Sequence, residues 1–265
     1  MIELLFLGVG AAIPMSGQTN SSFLLRSDEA TILIDCGPAI MQQLAAVHVS
    51  PATITHLYFT HRHGDHSLGY PMLMLWYVVA APPGTRCPTL IAGQTTFTSL
   101  DALMHGVYGG DIASYSDSAP RVTLPDHAPS TLTLTPGIHL RTWPMRHTEF
   151  APDLGARFEI GKRALAFTGD TFPTPAILDL ARDADILVHD SSYSATLNPD
   201  YATGVFGHST AQLSARHAAQ ANAAHVALVH IDHIYAGQQA VFLEEAQREF
   251  TGRVSIPLAG TLYSF

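Results

Sequence analysis

Thr60-His61-Arg62-His63-Gly64-Asp65-His66 is the stretch from which the rest of the chain is read. The apolar, aromatic run Leu57-Tyr58-Phe59 precedes it, so it begins where a buried strand ends. Ser67 and the long apolar segment beyond predict a helix that the loop leads into. His61 and His63, two positions apart, can turn towards one cation. Asp65 and His66, past the turn at Gly64, can turn towards a second. Imidazole mixed with carboxylate suits zinc, iron or manganese better than calcium, which prefers oxygen alone. The plain alternative is a histidine-rich surface loop. Residue type, order and position behind a strand together favour a metal site.

Composition bounds what surrounds that site. The chain has 265 residues, 47% hydrophobic and 13% charged, enough for a sizeable core in one domain over 1–265. The formal net charge is −9 with only 13 Lys and Arg, a poor match for a polyanion such as tRNA. Bound divalent cations would restore positive charge where a phosphate sits. Cys36 and Cys87 make no disulfide framework and read as small buried hydrophobes. The N-terminus runs straight into a strand with no basic leader, and the apolar run 70–81 is too short to cross a bilayer. The expectation is a cytoplasmic protein without a membrane partner.

In chain order, a strand over 3–7 ends in Gly8-Val9-Gly10; no helix follows, so a dinucleotide fingerprint is a weak reading. A hairpin with arms 22–26 and 31–34 precedes a helix opened by Pro38, and 54–59 is the strand delivering the metal loop. The segment 68–81, with Met72, Trp76 and Tyr77, is first a buried core helix. Its functional alternative is a pocket wall or the subunit interface of a homodimer. A strand over 88–92 and a helix over 94–106 follow. Residues 106–130, rich in Gly, Ser, Asp and Pro, predict a long surface loop overhanging the site. A second set of strands begins near Ser130, with 138–143, 156–160 and 164–167, the last two joined by Gly161-Lys162. Helix 174–182, strand 186–188, a helix capped by Ser209 with Gln212, strand 226–229, helix 238–250 and a last strand complete the chain. Each half sends strands into ligand-bearing loops. That pattern fits a four-layer α/β (α+β) sandwich, αββα, of two mixed sheets flanked by helices.

The His-x-His-x-Asp-His element resembles the signature of the metallo-β-lactamase superfamily. Leu33-Ile34-Asp35-Cys36-Gly37, Phe167-Thr168-Gly169-Asp170-Thr171, Gly207-His208-Ser209-Thr210 and Val229-His230 make its surroundings most similar to the ribonuclease Z branch. The resemblance implies the same fold and two divalent metal ions, zinc first, with manganese or iron as alternatives. It implies that His61, His63 and His147 hold one ion and Asp65, His66 and His230 the other, with Asp170 bridging. Two cations sharing a water lower its pKa towards neutrality. Asp65 can also orient that water. By the same resemblance His208 contacts the scissile phosphate and helps protonate the leaving oxygen. Asp190, in His189-Asp190-Ser191-Ser192, stands where the branch usually carries Glu and can orient His208. Tyr193 and His233 are further pocket candidates.

The leading expectation is a binuclear phosphodiesterase for a small or nucleotide-like ester. A lactone, thioester or aryl sulfate hydrolase is the second, because related clusters run those reactions. A tRNA 3′-end endoribonuclease is the third. In that group a flexible arm gripping tRNA lies between the positions matching His147 and Asp170; here only 148–169 separate them. A redox di-iron enzyme is disfavoured by the intact Asp65-His66, and a non-catalytic binding module by the complete ligand set.

Overall fold

The computed structural model describes residues 1–265. The first half contains β1 (Glu3–Gly8), β2 (Ser22–Arg26), β3 (Thr31–Ile34), α1 (Ile40–Ala46), β4 (His56–Tyr58), α2 (Gly64–Ser67) and α3 (Tyr70–Val79). It continues with β5 (Thr89–Gly93), α4 (Gln94–Val107), α5 (Gly110–Asp117) and β6 (Arg121–Leu124). The second half contains β7 (Ser130–Thr135), β8 (Ile138–Thr148), β9 (Ala151–Ile160), β10 (Arg163–Phe167), α6 (Ala176–Ala181) and β11 (Ile186–Asp190). It ends with α7 (Ala211–Gln220), β12 (His225–Val229), α8 (Gln239–Glu249), β13 (Arg253–Ser255) and β14 (Leu262–Ser264). The strands form two seven-stranded mixed sheets, ordered β14-β1-β2-β3-β4-β5-β6 and β13-β12-β11-β10-β9-β8-β7.

Alternation along each strand divides the apolar residues between two environments. In β1, Leu4 and Phe6 face the other sheet, whereas Leu5 and Leu7 pack with helical residues such as Leu44, Leu73 and Met74. Phe23, Tyr58 and Ile91 of the first sheet meet Phe158, Phe167 and Val188 of the second in the inter-sheet core. The outer face of the second sheet packs on Ile177, Leu180, Ala215 and Phe242 from α6, α7 and α8. The result is the four-layer αββα sandwich.

Polar bonds tie the sheets together beside the metal motif. Tyr58 Oη donates to Leu154 O at 2.6 Å, and Leu154 N donates to Thr60 O at 3.0 Å. Because Tyr58 is fully buried, its hydroxyl needs that partner.

Several local expectations change. Residues 106–130 are not one overhanging loop: they hold α5 and β6, which pairs in parallel with β5 as the edge of the first sheet. Their small polar residues resemble loop composition, but a parallel edge strand is created by its partner. The helix expected after the metal motif begins inside it. α2 carries Asp65 and His66, and α3 starts only at Tyr70. Tyr77 is buried with its hydroxyl on Pro51 O, and Met72 meets Tyr108 at the surface. Those contacts agree with the first reading of 68–81, a core helix, and place α3 on the outside of the first sheet. The α7 cap is Thr210, whose Oγ1 accepts from Leu213 N, while Ser209 Oγ donates to Thr171 O. β8 and β9 are longer than expected and meet around Glu149-Phe150, with Thr148 opposite Ala151.

Candidate metal centre

The ligand-type residues gather where strands of both sheets end. β4 leads to His61 and His63, β8 carries His147 near its end, β10 leads to Asp170, and β12 leads to His230. One group comprises His61, His63, His147 and Asp170; a second comprises Asp65, His66, Asp170 and His230. In each, ligand atoms lie within 4.8 Å of one another, and Asp170 belongs to both. His147 Nε2 stands 3.0 Å from His63 Nδ1, and His230 Nε2 stands 3.2 Å from Asp65 Oδ2. The structure thus brings together all seven residues named from the sequence.

The surroundings test whether a cation fits. His61 Nε2 and His66 Nε2 are buried without a hydrogen-bond partner, although such atoms are normally satisfied. They lie 3.7 and 3.4 Å from the Asp170 oxygens, so their lone pairs converge on a carboxylate already shared by two groups. That donor set fits divalent cations.

The opposite ring nitrogen of each buried histidine is fixed. His61 Nδ1 faces Asp153 Oδ2 at 3.0 Å, His66 Nδ1 faces Asp35 Oδ2 at 2.7 Å, and His147 Nδ1 faces Gly207 O at 2.9 Å. His230 Nδ1 meets Ser192 Oγ at 2.9 Å, and Ser192 Oγ in turn donates to Asp190 Oδ1 at 2.7 Å. Such partners set the tautomer and aim the free nitrogen at the site. Asp35 also accepts from Thr60 N at 2.8 Å, which anchors the start of the motif. Asp153 accepts from Asp170 N at 2.9 Å, linking His61 to the shared carboxylate. Gly169, with φ of 63°, permits that approach, because a Cβ there would lie 2.3 Å from Asp153 Oδ1.

Electrostatics reinforce the arrangement. Burial pushes His61, His63 and His147 below their usual pKa, leaving neutral rings with available lone pairs. Burial would also lower His66, but Asp170, Asp65 and Asp35 outweigh it and raise the ring well above its usual value. That concentration of carboxylate charge is the field a dication would meet. Burial would raise Asp65, yet His66 and His230 hold it well below the usual carboxylate range.

Beside the second group, His208 Nδ1 lies 2.9 Å from Asp190 Oδ2. The Glu-to-Asp shortening therefore leaves the contact intact. Asp190 is fixed further by Thr171 N at 2.9 Å and Ser192 N at 3.1 Å. Burial alone would lower His208, but Asp190, by charge and hydrogen bond, then Asp170 and Asp65, raise it to about 9. Tyr193 is buried, with its ring 6.1 Å from that of His208. His233 instead pairs with Asp232 at 2.9 Å and is half exposed.

Asp153 and Ser192 had no role assigned from sequence. Ser192 sits in the noticed His189-Asp190-Ser191-Ser192 run, and Asp35 in the noticed Leu33-Gly37 run. Asp153 lay outside the strand expected over 156–160; only the earlier start of β9, at Ala151, puts it in a buried strand.

Comparison with known proteins places this geometry in a family. Residues 2–203 match the family model described as Anti-Pycsar protein Apyc1. Ribonuclease Z of Mycobacterium avium is 30% identical over 97% of this chain and 95% of its own. Among solved structures, the metallo-β-lactamase fold protein YhfI from Bacillus subtilis superposes with a TM-score of 0.79 at 18% identity, covering 99% of this chain and 98% of that one. A diphosphatase from the PhnP family gives 0.72 at 20% identity, covering 100% and 98%. No helix is long and apolar enough to cross a membrane. With its two sheets and shared-carboxylate site, the chain belongs to the metallo-β-lactamase-fold, metal-dependent hydrolases, in the family of the Anti-Pycsar protein Apyc1 and among the relatives of ribonuclease Z.

Proposed function

We propose that this hydrolase is a phosphodiesterase acting on small, including nucleotide-like, phosphodiesters with two divalent cations, zinc first. The observation carrying the reading is the His208–Asp190 pair at 2.9 Å beside two ligand groups that share Asp170. His61, His63 and His147 would hold one cation, Asp65, His66 and His230 the other, with Asp170 common to both. Bound there, the cations would supply Lewis acidity and a water of lowered pKa. Asp65 accepts a hydrogen bond from the attacking water and orients it. His208, kept protonated by Asp190, hydrogen-bonds the phosphoryl oxygen and delivers a proton to the leaving alkoxide. The attacking and leaving oxygens thus have separate attendants, as an in-line displacement requires. The relative's name, ribonuclease Z, supports phosphorus–oxygen chemistry over a lactone, thioester or sulfate.

A small substrate is favoured over tRNA by two features. β8 and β9 meet around Glu149-Phe150 and β9 and β10 at Gly161-Lys162, leaving no inserted arm between His147 and Asp170. The net charge of −9 opposes a long polyanion. The test incubates zinc-loaded protein with bis(4-nitrophenyl) phosphate, a nitrophenyl sulfate, a lactone and a 3′-extended precursor tRNA. Turnover of the diester with little tRNA trimming is expected. Efficient, salt-sensitive trimming would reassign the protein to tRNA maturation, and hydrolysis confined to the sulfate or lactone would end the phosphodiesterase reading.

A further inference from the structure

The turn that brings His208 to the site contradicts its own sequence. Val205 N donates to His208 O at 3.1 Å and His208 N donates to Val205 O at 2.9 Å, closing a four-residue hairpin. Its central residues, Phe206 and Gly207, have φ of 52° and 87°, the pattern of a type I′ turn. Gly207 suits that position, and a Cβ there would lie 2.6 Å from His147 Nδ1. Phe206 does not suit it. Asn, Asp or Gly are the usual residues at the first central position, and a bulky aromatic with positive φ is an outlier.

Packing explains the exception only in part. Phe206 meets the rings of Tyr201 and Tyr193 edge-on, at 6.2 and 6.3 Å between centroids, yet stays 69% exposed. A large apolar ring is thus held in solvent, in a strained conformation, beside a glycine whose carbonyl fixes His147 and two residues before His208. Strain of this kind collects where a side chain serves a ligand.

We propose that Phe206 is a specificity-determining residue: its ring is the platform on which the organic group of a phosphoester packs, favouring planar aromatic groups over small aliphatic ones. The idea rests on the phosphodiesterase reading for the identity of the substrate, but its test does not require turnover. Binding of phenylphosphonate and methylphosphonate to zinc-loaded protein is measured by calorimetry for wild type, Phe206→Asn and Phe206→Gly. Wild type should prefer the phenyl compound, and both variants should lose about three- to tenfold of that preference, the range expected of an aromatic contact. Methylphosphonate affinity and zinc content should stay unchanged. Phe206→Asn should melt about 2 °C higher, because asparagine accepts the left-handed turn. Equal binding of the two phosphonates by wild type, or a phenyl preference retained in both variants, would overturn the proposal. If wild type cleaves no phosphodiester but its phenyl preference disappears in the variants, the phosphodiesterase reading fails while the role of Phe206 stands.

Discussion

Replacing Asp190 by Asn removes a charge from beside His208 while nearly preserving shape, so the reasoning about the proton donor can be tested at one position. Asp190 Oδ2 lies 2.9 Å from His208 Nδ1, and the carboxylate is almost fully buried. Burial lowers His208, and Asp190 is the largest influence that raises it, giving about 9 in place of 6.5. That rise corresponds to about 3 kcal/mol in favour of the protonated ring. Cations bound among Asp65 and Asp170 would offset those two charges. In the loaded enzyme the alkaline limb of kcat/KM should therefore fall between 6.5 and about 9, with Asp190 chiefly responsible. Without the carboxylate, burial should bring His208 to 6.5 or below. Activity on a diester with a poor leaving group should then drop roughly ten- to thirtyfold at pH 8 and recover partly on acidification. The sign follows from the chemistry, since the donor must be protonated and activity is lost as pH rises through its pKa. The assay is the pH profile of Asp190→Asn beside wild type, with zinc content measured and the His208 ring titrated by NMR. His208→Ala marks the limit, with metal retained and nitrophenolate release less affected. An alkaline limb unmoved in Asp190→Asn, with zinc intact, would refute the pairing as the source of the proton.

Asp170→Ala should remove both cations, because that carboxylate belongs to both ligand groups; full metal content by elemental analysis would contradict the shared site. His217 supplies a pH test of folding. Burial, then His189, depresses it to about 3, so below 6.5 the unfolded chain binds a proton that the native ring refuses. Stability should therefore fall as pH drops from 6.5 towards about 3, losing about 2 kcal/mol from this group by pH 5. Urea unfolding of His217→Phe should show a shallower decline over that window, whatever its stability at pH 7, and an identical slope would exclude His217 as a source.

The clustering of these His and Asp side chains was legible because its chemistry is local. His61, His63, Asp65 and His66 lie within six residues, and a strand end places neighbouring side chains together with little help from distant chain. Asp170, His147 and His230 each follow a recognisable strand, so the resemblance and the strand pattern agreed on them. The hairpin arms 22–26 and 31–34 were similarly readable, since apolar alternation and a polar tip determine pairing between adjacent segments.

What depended on distant partners was not legible. β6 exists through pairing with β5 across α4 and α5; its own alternation, Arg121-Val122-Thr123-Leu124, is only four residues long and stands among turn-forming residues. α3 was expected as a core helix from its apolar residues on all sides, but which of them are buried was decided by the packing of Tyr70, Leu73 and Met74 on the first sheet. Asp153 is 92 positions from His61 in sequence and 3.0 Å from it in space. By itself the sequence determined which residues could bind metal and the strand ends that carry them. Only the tertiary structure decided which partners hold each imidazole, because a buried hydrogen bond between two sheets is selected by their packing and leaves no periodic mark in either strand.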